Sequence, residues 1–229
     1  LEDAATLAQS MVDVGNGAGM ATQALVTDMS VPLAWSAGNA VEVQEAVEYL
    51  RGEGQRHPRL DEVVLALGAR LLVAGGVVDD LNEAKSQLVR VRDNGSALER
   101  MAQVVEMMGG DPRVTERPEQ VLGQAPVVKP IHATHRGRLT GFDVRGLGMA
   151  VVALGGGRTI PDAVIDPRVG LSALPLVGTT FESGDPLLTI HATDENSWRV
   201  AADRIQRALR WDEDGWLTPA LVHQQIDGR

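Results

Sequence analysis

The chain has 229 residues, of which 44% are hydrophobic and 23% charged, as expected of a globular protein with a substantial core. A formal net charge of -10 argues against a nucleic-acid-binding surface, which needs clustered lysine and arginine. The absence of cysteine excludes disulfides and thiolate chemistry, and no apolar run approaches the roughly 18 residues of a membrane span. We therefore expect a cytoplasmic protein that binds neither nucleic acid nor membrane.

Residues 1–110 predict an α/β arrangement in which helices dominate. The chain begins without Met and already inside a helical pattern, Glu2 to Val14, which the glycine turn Gly15–Gly19 closes. The next segment, MATQALVTDM, predicts a strand that ends at Asp28. Because this strand is apolar on both faces, we expect it to belong to a largely parallel sheet. We also expect its exposed edge to be covered by another chain, a crystal neighbour or residual N-terminal sequence.

Three further helical regions follow this strand. An acidic helix is predicted from Ala40 with Asn39 as its N-cap, and a long apolar helix is predicted over 59–76. Residues 80–110 predict two helices that separate at Asn94–Gly95.

The composition changes after this helical region. Residues 111–126 are polar and rich in proline, which indicates a linker, and beyond them the apolar period changes to two. Residues 127–229 are predicted to form a strand-rich α+β domain, with a buried helix over 146–158 and a final amphipathic helix over 194–211. The predicted fold class is therefore α/β: a partial α/β domain, with part of a parallel sheet plus helices, followed by an α+β module.

Generic catalytic motifs are absent from the sequence: it contains no phosphate-binding GxxxxGK[ST] loop, no GxSxG elbow and no HExxH zinc motif. The segment LGGGR, Leu154 to Arg158, could cradle an anion, although a tight turn is the favoured interpretation. The segment IHATDE is read as the end of a strand, with Thr193 or Asp194 capping the last helix, rather than as a metal cluster.

One long connection, within TDMSVPLAWSAGNAVEVQEA (Thr27 to Ala46), exceeds the usual two to six residues between a strand and a helix by a factor of about two. Its irregular backbone leaves carbonyl oxygens without helix or sheet partners, and Glu45 adds a carboxylate. Such an oxygen-rich environment suits an alkali or alkaline-earth cation. The alternative, Glu45 as a solvated acid on the helix surface, is favoured by the residues alone.

Several segments together resemble the thymidine and pyrimidine-nucleoside phosphorylases. They are LVTDMSVPLAWSAGNAVEVQEAV, VGNGAG, DNGSAL, LGMAVVALGGGRTIPDAVIDPRVGL and GDPLLTIHATDEN, in the family's order and over nearly the whole chain. The resemblance implies a homodimer and the phosphorolysis of thymidine or a related pyrimidine nucleoside. It also implies that 127–229 form a hammerhead-like module, shaped like biotinyl and lipoyl carriers but without an acceptor lysine at a hairpin tip.

The resemblance covers roughly the second half of such an enzyme. The family's phosphate loop and base-binding residues have no counterpart in the sequence, so no catalytic or cofactor-binding residue is carried over, and the chain alone is expected to be inactive. One site is carried over: the carbonyls of Leu33 and Ser36 and the carboxylate of Glu45 match ligands of a monovalent cation, K⁺, in some family members. The alternative function is a non-catalytic α/β domain with a structural or binding role.

Overall fold

A computed structural model describes residues 1–158, 160–212 and 218–228 of the chain. Its α-helices are α1 Glu2–Gly17, α2 Asn39–Arg51, α3 Pro58–Ala74, α4 Leu81–Asp93, α5 Ser96–Met107, α6 Pro118–Leu122, α7 Val144–Val151 and α8 Glu195–Ala208, and a π-helical stretch, Val152–Gly156, continues α7. Its strands are β1 Ala24–Thr27, β2 Val127–His132, β3 Gly137–Phe142, β4 Gly170–Ser172, β5 Thr180–Phe181, β6 Pro186–Ala192, β7 Leu209–Trp211 and β8 Val222–Ile226. None of the described helices combines the length and the apolarity that a membrane span requires.

The described strands form three small antiparallel groups. β1 pairs with β8, a second sheet has the order β2-β6-β4, and a third has the order β5-β3-β7. Helices fill most of the first half of the chain, and strands concentrate in the second. The mixed α/β class with a strand-rich C-terminal module is therefore confirmed.

The surroundings of β1 differ from the prediction. β1 pairs antiparallel with β8, with Ala24 opposite Ile226, so one of its two edges is covered by the chain's own C-terminal strand, and within the described ranges no strand lies along the other edge. No parallel neighbour of β1 occurs among the described residues. The tail shows no sequence periodicity because β8, VHQQI, has apolar residues only at its ends. Its register is fixed by Ile226, which is buried with Val12 of α1 and Val26 of β1.

The largest core lies in the C-terminal module. Its most deeply buried side chains, Leu139, Leu171, Ile190 and Ile205, come from β3, β4, β6 and α8. Val31, from the long connection after β1, is part of the same cluster. This connection is therefore anchored in the C-terminal module as well as in the first half of the chain.

The proline-rich segment 111–126 contains a 3₁₀ turn, Pro112–Thr115, and the short helix α6. Val114 and Thr115 are buried, and the Arg51 guanidinium donates two hydrogen bonds to the carbonyl oxygen of Thr115, at 3.1 and 2.8 Å. This segment packs on α2, and the division of the chain at residues 111–126 stays a prediction.

The ends of the helices agree with the sequence-based predictions in two places and differ from them in one. Of the two candidate caps of α8, Thr193 and Asp194, the structure selects Asp194, in a reciprocal capping box with Ser197. The break between α4 and α5 falls at Asn94–Gly95 as predicted, with Gly95 at φ 86°. The assignment of Asn39 as the N-cap of α2 is wrong: Gly38 occupies that position, and the Asn39 side chain donates to the carbonyl oxygen of Gly156.

Candidate functional site

The connection between β1 and α2 lies against the C-terminal module like an added strand. Ala37 and Leu171 exchange backbone hydrogen bonds of 3.0 and 2.8 Å, and the N–H of Leu174 donates to the carbonyl oxygen of Trp35 at 2.9 Å. The connection is therefore long because it pairs with β4 before α2 begins. These bonds join the two halves of the chain and fix the backbone around the predicted cation ligands.

A close backbone approach ends this connection. Gly38 has φ 140° and ψ 160°, a conformation that is essentially restricted to glycine. A Cβ atom at Gly38 would lie 2.7 Å from the carbonyl oxygen of Val169 and 2.8 Å from the Cα of Gly170. Glycine is therefore required here for its conformation and for the space it leaves.

The start of α2 is partly occupied by groups of the protein itself. Its N-cap N–H, that of Gly38, donates to the Glu42 carboxylate at 2.9 Å, and the N–H of Ala40 donates to the carbonyl oxygen of Pro167 at 2.8 Å. Two of the four N–H groups that an anion at this helix N-terminus would use are therefore already engaged within the protein.

Glu45 holds the connection in place. One carboxylate oxygen accepts the backbone N–H of Trp35 at 2.9 Å, and the other accepts a hydrogen bond from the Ser36 hydroxyl. Glu45 is half-buried and is not the solvated surface acid that the residues alone favoured. The Ser36 side chain is also used, although the resemblance concerned only its carbonyl.

The three predicted cation ligands line one cleft. Leu33, Ser36 and Glu45 lie along a cavity of about 360 Å³ that is closed on the other side by residues of α3 and α7. The sequence-predicted site residues are thus brought together at one place, between the long connection, α2 and the C-terminal module.

The donor set in this cleft is compatible with a monovalent cation. Within the described residues, the carbonyl oxygens of Leu33 and Ser36 accept none of the chain's hydrogen bonds, whereas those of Trp35 and Ala37 are occupied. Over the same residues Glu45 forms no salt bridge, so its negative charge is not neutralised by a protein cation. Each of its oxygens accepts one hydrogen bond and keeps a second lone pair. Two carbonyls and one carboxylate suit a hard cation of low charge.

A buried ion pair supports the other end of the connection. Arg59 Nη2 lies 2.7 Å from Asp28 Oδ2, and both side chains are at most one-tenth exposed. The hydroxyl of Ser30 donates to the other oxygen of Asp28 at 2.8 Å, and Arg59 Nη1 donates to the carbonyl oxygen of Pro219 at 3.0 Å. Asp28, the acid at the end of the strand, therefore ties β1 to α3 and to the C-terminal tail.

His57 is the buried N-cap of α3. Its Nδ1 accepts the N–H of Arg59 at 3.3 Å, and its ring meets the edge of the Trp35 indole with the centroids 4.4 Å apart. Burial, with the positive charge of Arg59 as a smaller cause, lowers the pKa of His57 from 6.5 to about 4. His57 is therefore neutral in the folded protein at physiological pH.

The lowered pKa of His57 predicts that the protein loses stability in mild acid. With a folded-state pKa of about 4 and an unfolded-state value of 6.5, the unfolded chain takes up the proton first as the pH falls. The contribution of neutral His57 to the stability of the fold is fully present above pH 6.5 and is lost between pH 6.5 and about 4. His57→Asn keeps a capping side chain without a titrating group. We expect the free energy of unfolding, measured with urea, to fall between about pH 7 and about pH 4.5 by roughly 2 kcal/mol more in the native chain than in the variant. Equal pH dependence in the two proteins would contradict this account.

Two other polar segments do not form a second site. In LGGGR, the carbonyls of Gly155 and Gly156 accept hydrogen bonds from Asp166 and Asn39, and Gly155 turns the chain at φ 98°, consistent with the turn interpretation. The hydroxyl of Ser172 lies 2.8 Å from His191 Nε2. No partner for the other ring nitrogen occurs in the described part of the chain, so this pair lacks the third group that orients a catalytic histidine. Nor do the described residues contain a cluster of three His, Cys, Asp or Glu side chains suited to a metal.

Sequence reasoning missed the partnership of Asp28 with Arg59 and the capping role of His57. An acid at the end of a buried strand needs a cationic or hydrogen-bonding partner, but the sequence does not say which arginine supplies it. The segment RHPR before α3 carried a usable signal, because proline at the first helical position places the preceding residue at the N-cap.

Comparison with known proteins gives two family matches in chain order. Residues 1–98 match the α/β domain of a glycosyl transferase family, and residues 139–212 match the pyrimidine nucleoside phosphorylase C-terminal domain. The chain is 46% identical to a thymidine phosphorylase of Burkholderia orbicola over 97% of its own length and 51% of the relative. It is 46% identical to one of Burkholderia cenocepacia over 99% and 51%, and 44% identical to one of Rhizobium meliloti over 94% and 49%. The chain thus spans about half the length of the curated relatives it matches.

Proposed function

We propose, from the premise that this chain belongs to the thymidine and pyrimidine-nucleoside phosphorylase family, that it forms part of a thymidine phosphorylase. The reaction would be thymidine plus phosphate giving thymine plus 2-deoxyribose 1-phosphate, a step of nucleoside salvage. The observation that carries the proposal is that two family domains match in order, with 46% identity running through 97% of the chain.

In this proposal the chain supplies scaffold rather than catalytic groups. Phosphorolysis needs donors for a phosphate dianion and for the charge that develops on the departing base. The sequence carries no phosphate loop, and Arg59, the buried arginine beside the connection, is engaged with Asp28. The catalytic groups would therefore lie in the half of the family enzyme that this chain does not match, and the chain alone would be inactive.

The cleft beside α2 would hold a monovalent cation such as K⁺ in the complete enzyme. The ligands from this chain would be the carbonyl oxygens of Leu33 and Ser36 and the carboxylate of Glu45. Two observations support these ligands: the described residues donate no hydrogen bond to the two carbonyl oxygens, and no cationic side chain among them neutralises the charge of Glu45. A cation there would neutralise Glu45 and stiffen the connection, and no step of the reaction needs to pass through it.

The complete enzyme would be a cytoplasmic homodimer that binds thymidine or a related pyrimidine nucleoside together with phosphate. Family membership supports the substrates and the dimer. The net charge of -10 supports the absence of a nucleic-acid partner.

A non-catalytic role is the second candidate. It is favoured by the C-terminal module, whose core of side chains from β3, β4, β6 and α8 is largely its own. Such a module could fold and serve a structural or binding purpose without any phosphorolysis.

The test joins this chain covalently to the half of the Burkholderia cenocepacia relative that it does not match. We expect thymine release from thymidine in the joined protein, strictly dependent on phosphate, and none from the 229-residue chain. Glu45→Gln keeps the size of the side chain but removes the charge, and should weaken the response of the joined protein to K⁺. A joined protein that is folded but releases no thymine would favour the non-catalytic role.

A further inference from the structure

Ser36 takes part in the candidate cation site through two different atoms. Its carbonyl oxygen is one of the proposed ligands and accepts no hydrogen bond from the described residues. Its hydroxyl donates to one carboxylate oxygen of Glu45, the ligand that carries the charge. Over the described ranges this is the only hydrogen bond of the Ser36 side chain. The role of the carbonyl therefore leaves the hydroxyl unexplained.

The backbone that carries this hydroxyl is fixed by the C-terminal module. The residues on either side of Ser36 bond to β4 and to the segment just beyond it. The carbonyl oxygen of Trp35 accepts the N–H of Leu174 at 2.9 Å, and Ala37 exchanges hydrogen bonds of 3.0 and 2.8 Å with Leu171. The position of Ser36 is therefore defined by the backbone of its neighbours and does not depend on its own side chain.

The Glu45 carboxylate has no comparable anchor of its own. A glutamate side chain is long and loses much rotamer freedom when it is held in one place. Glu45 forms no salt bridge with the described residues, so its carboxylate is held by the N–H of Trp35 on one oxygen and by the Ser36 hydroxyl on the other. Because each oxygen has one donor, loss of either donor frees the carboxylate to turn.

We propose that the Ser36 hydroxyl is a positioning group for the cation: it orients the Glu45 carboxylate beside the carbonyl oxygens of Leu33 and Ser36 before the cation binds. A ligand that is already ordered loses less conformational freedom on binding, which raises the affinity for the cation. Partners that bond a ligand without touching the metal commonly change metal affinity by roughly 10- to 100-fold. This inference rests on the proposed function, since it takes the cleft as the cation site.

The alternative is that this hydrogen bond only holds the connection in the fold. The connection has other attachments, however. Val31 is buried in the core of the C-terminal module, and the buried pair of Asp28 with Arg59 lies at the start of the connection. These contacts and the pairing of Ala37 with Leu171 remain when the hydroxyl is removed. We therefore expect its removal to affect cation binding more than the stability of the fold.

The test measures K⁺ binding rather than turnover. The protein is this chain joined to the unmatched half of the Burkholderia cenocepacia relative, and K⁺ replaces choline at constant ionic strength. The dissociation constant for K⁺ follows from the rise of the unfolding temperature with K⁺ concentration. Ser36→Ala keeps the carbonyl ligand and removes only the hydroxyl, and it should weaken K⁺ binding by roughly tenfold. Ser36→Thr keeps a hydroxyl on the same carbon and should restore most of the affinity.

Further variants of the joined protein distinguish positioning from a structural role. In a Glu45→Gln background, adding Ser36→Ala should change K⁺ binding by less than about twofold, because the hydroxyl acts through the carboxylate. Ser86→Ala removes a hydroxyl that bonds the carbonyl oxygen of Asn82 within α4, and it should leave K⁺ binding unchanged. Without K⁺, the unfolding temperature of the Ser36→Ala protein should stay close to that of the unsubstituted protein.

Each outcome decides between these claims. Equal K⁺ affinity in the Ser36→Ala and unsubstituted proteins overturns the role of the hydroxyl, and so does an equal loss of affinity with Glu45 and with Gln at position 45. Thymine release by a joined protein that binds no K⁺ overturns both the cation site and the role of the hydroxyl but upholds the phosphorylase. Binding of K⁺ that depends on the Ser36 hydroxyl, in a joined protein that releases no thymine, upholds this inference and contradicts the proposed reaction.

Discussion

Replacing Arg59 by methionine is expected to lower the free energy of unfolding by about 3–5 kcal/mol, because it leaves the buried Asp28 carboxylate without its counter-charge. The pair lies at 2.7 Å with both side chains at most one-tenth exposed, so water cannot replace the lost partner. The same change also removes the hydrogen bond to the carbonyl oxygen of Pro219. Urea denaturation at neutral pH measures the difference.

Two companion variants identify the cause. Arg113→Met breaks an ion pair with Asp111 in which the arginine is mostly exposed, and should lower the free energy of unfolding far less than Arg59→Met does. Combining Arg59→Met with Asp28→Asn removes the unpaired buried charge of Asp28 and should recover part of the lost free energy of unfolding. An Arg59→Met protein as stable as the Arg113→Met protein would show that this ion pair does not hold the connection.

The second large effect is expected from Gly38→Ala, which should lower the free energy of unfolding by roughly 3 kcal/mol. The backbone conformation of Gly38 costs about 1–3 kcal/mol for any other residue. The new methyl group would also press on the backbone of Val169 and Gly170, which adds an overpacking cost of similar size. Because this contact joins the two halves of the chain, the bridge between Ala37 and Leu171 should loosen with it.

The matched control is Gly54→Ala. Gly54 also has a positive φ, 65°, but no atom lies within 4 Å of the position of its Cβ. This variant should cost only about 1–2 kcal/mol, the penalty of the left-handed conformation alone. Equal losses in the two variants would mean that the close approach at Gly38 carries no energy of its own.

The helices were predictable because their apolar residues recur at helical spacing and their ends carry Gly, Pro or Asp. Asp194 illustrates this, since its capping box with Ser197 follows from local sequence. β8 was not predictable, because its position depends on the burial of Ile226 against residues about 200 positions earlier in the chain. The N-cap of α2 was misplaced by one residue for a similar reason: the contact of Gly38 with residues 169–170 is long-range.

The candidate site was only partly predictable. The family resemblance identified the three predicted ligands, Leu33, Ser36 and Glu45. The residues alone could not do so, because no sequence pattern shows which backbone carbonyls lack hydrogen-bond partners. The hydrogen bonds from Trp35 and Ser36 to Glu45 were not foreseen, because they depend on how the connection folds back on α2. The choice of Arg59 as the partner of Asp28 likewise requires the fold, because many arginines are equivalent in sequence.

The central proposal is that this chain supplies the scaffold half of a thymidine phosphorylase and that the catalytic groups lie in the half of the family enzyme that it does not match. Its most direct test is thymine release from thymidine, with and without phosphate, by the 24.4 kDa chain of verified mass and by the joined protein. We predict no release above background from the chain alone, since losing even one transition-state donor commonly costs roughly 10²–10³ in rate. We predict phosphate-dependent release from the joined protein. Phosphate-dependent turnover by the 24.4 kDa chain alone would contradict the account and place the catalytic groups among residues assigned here to the scaffold.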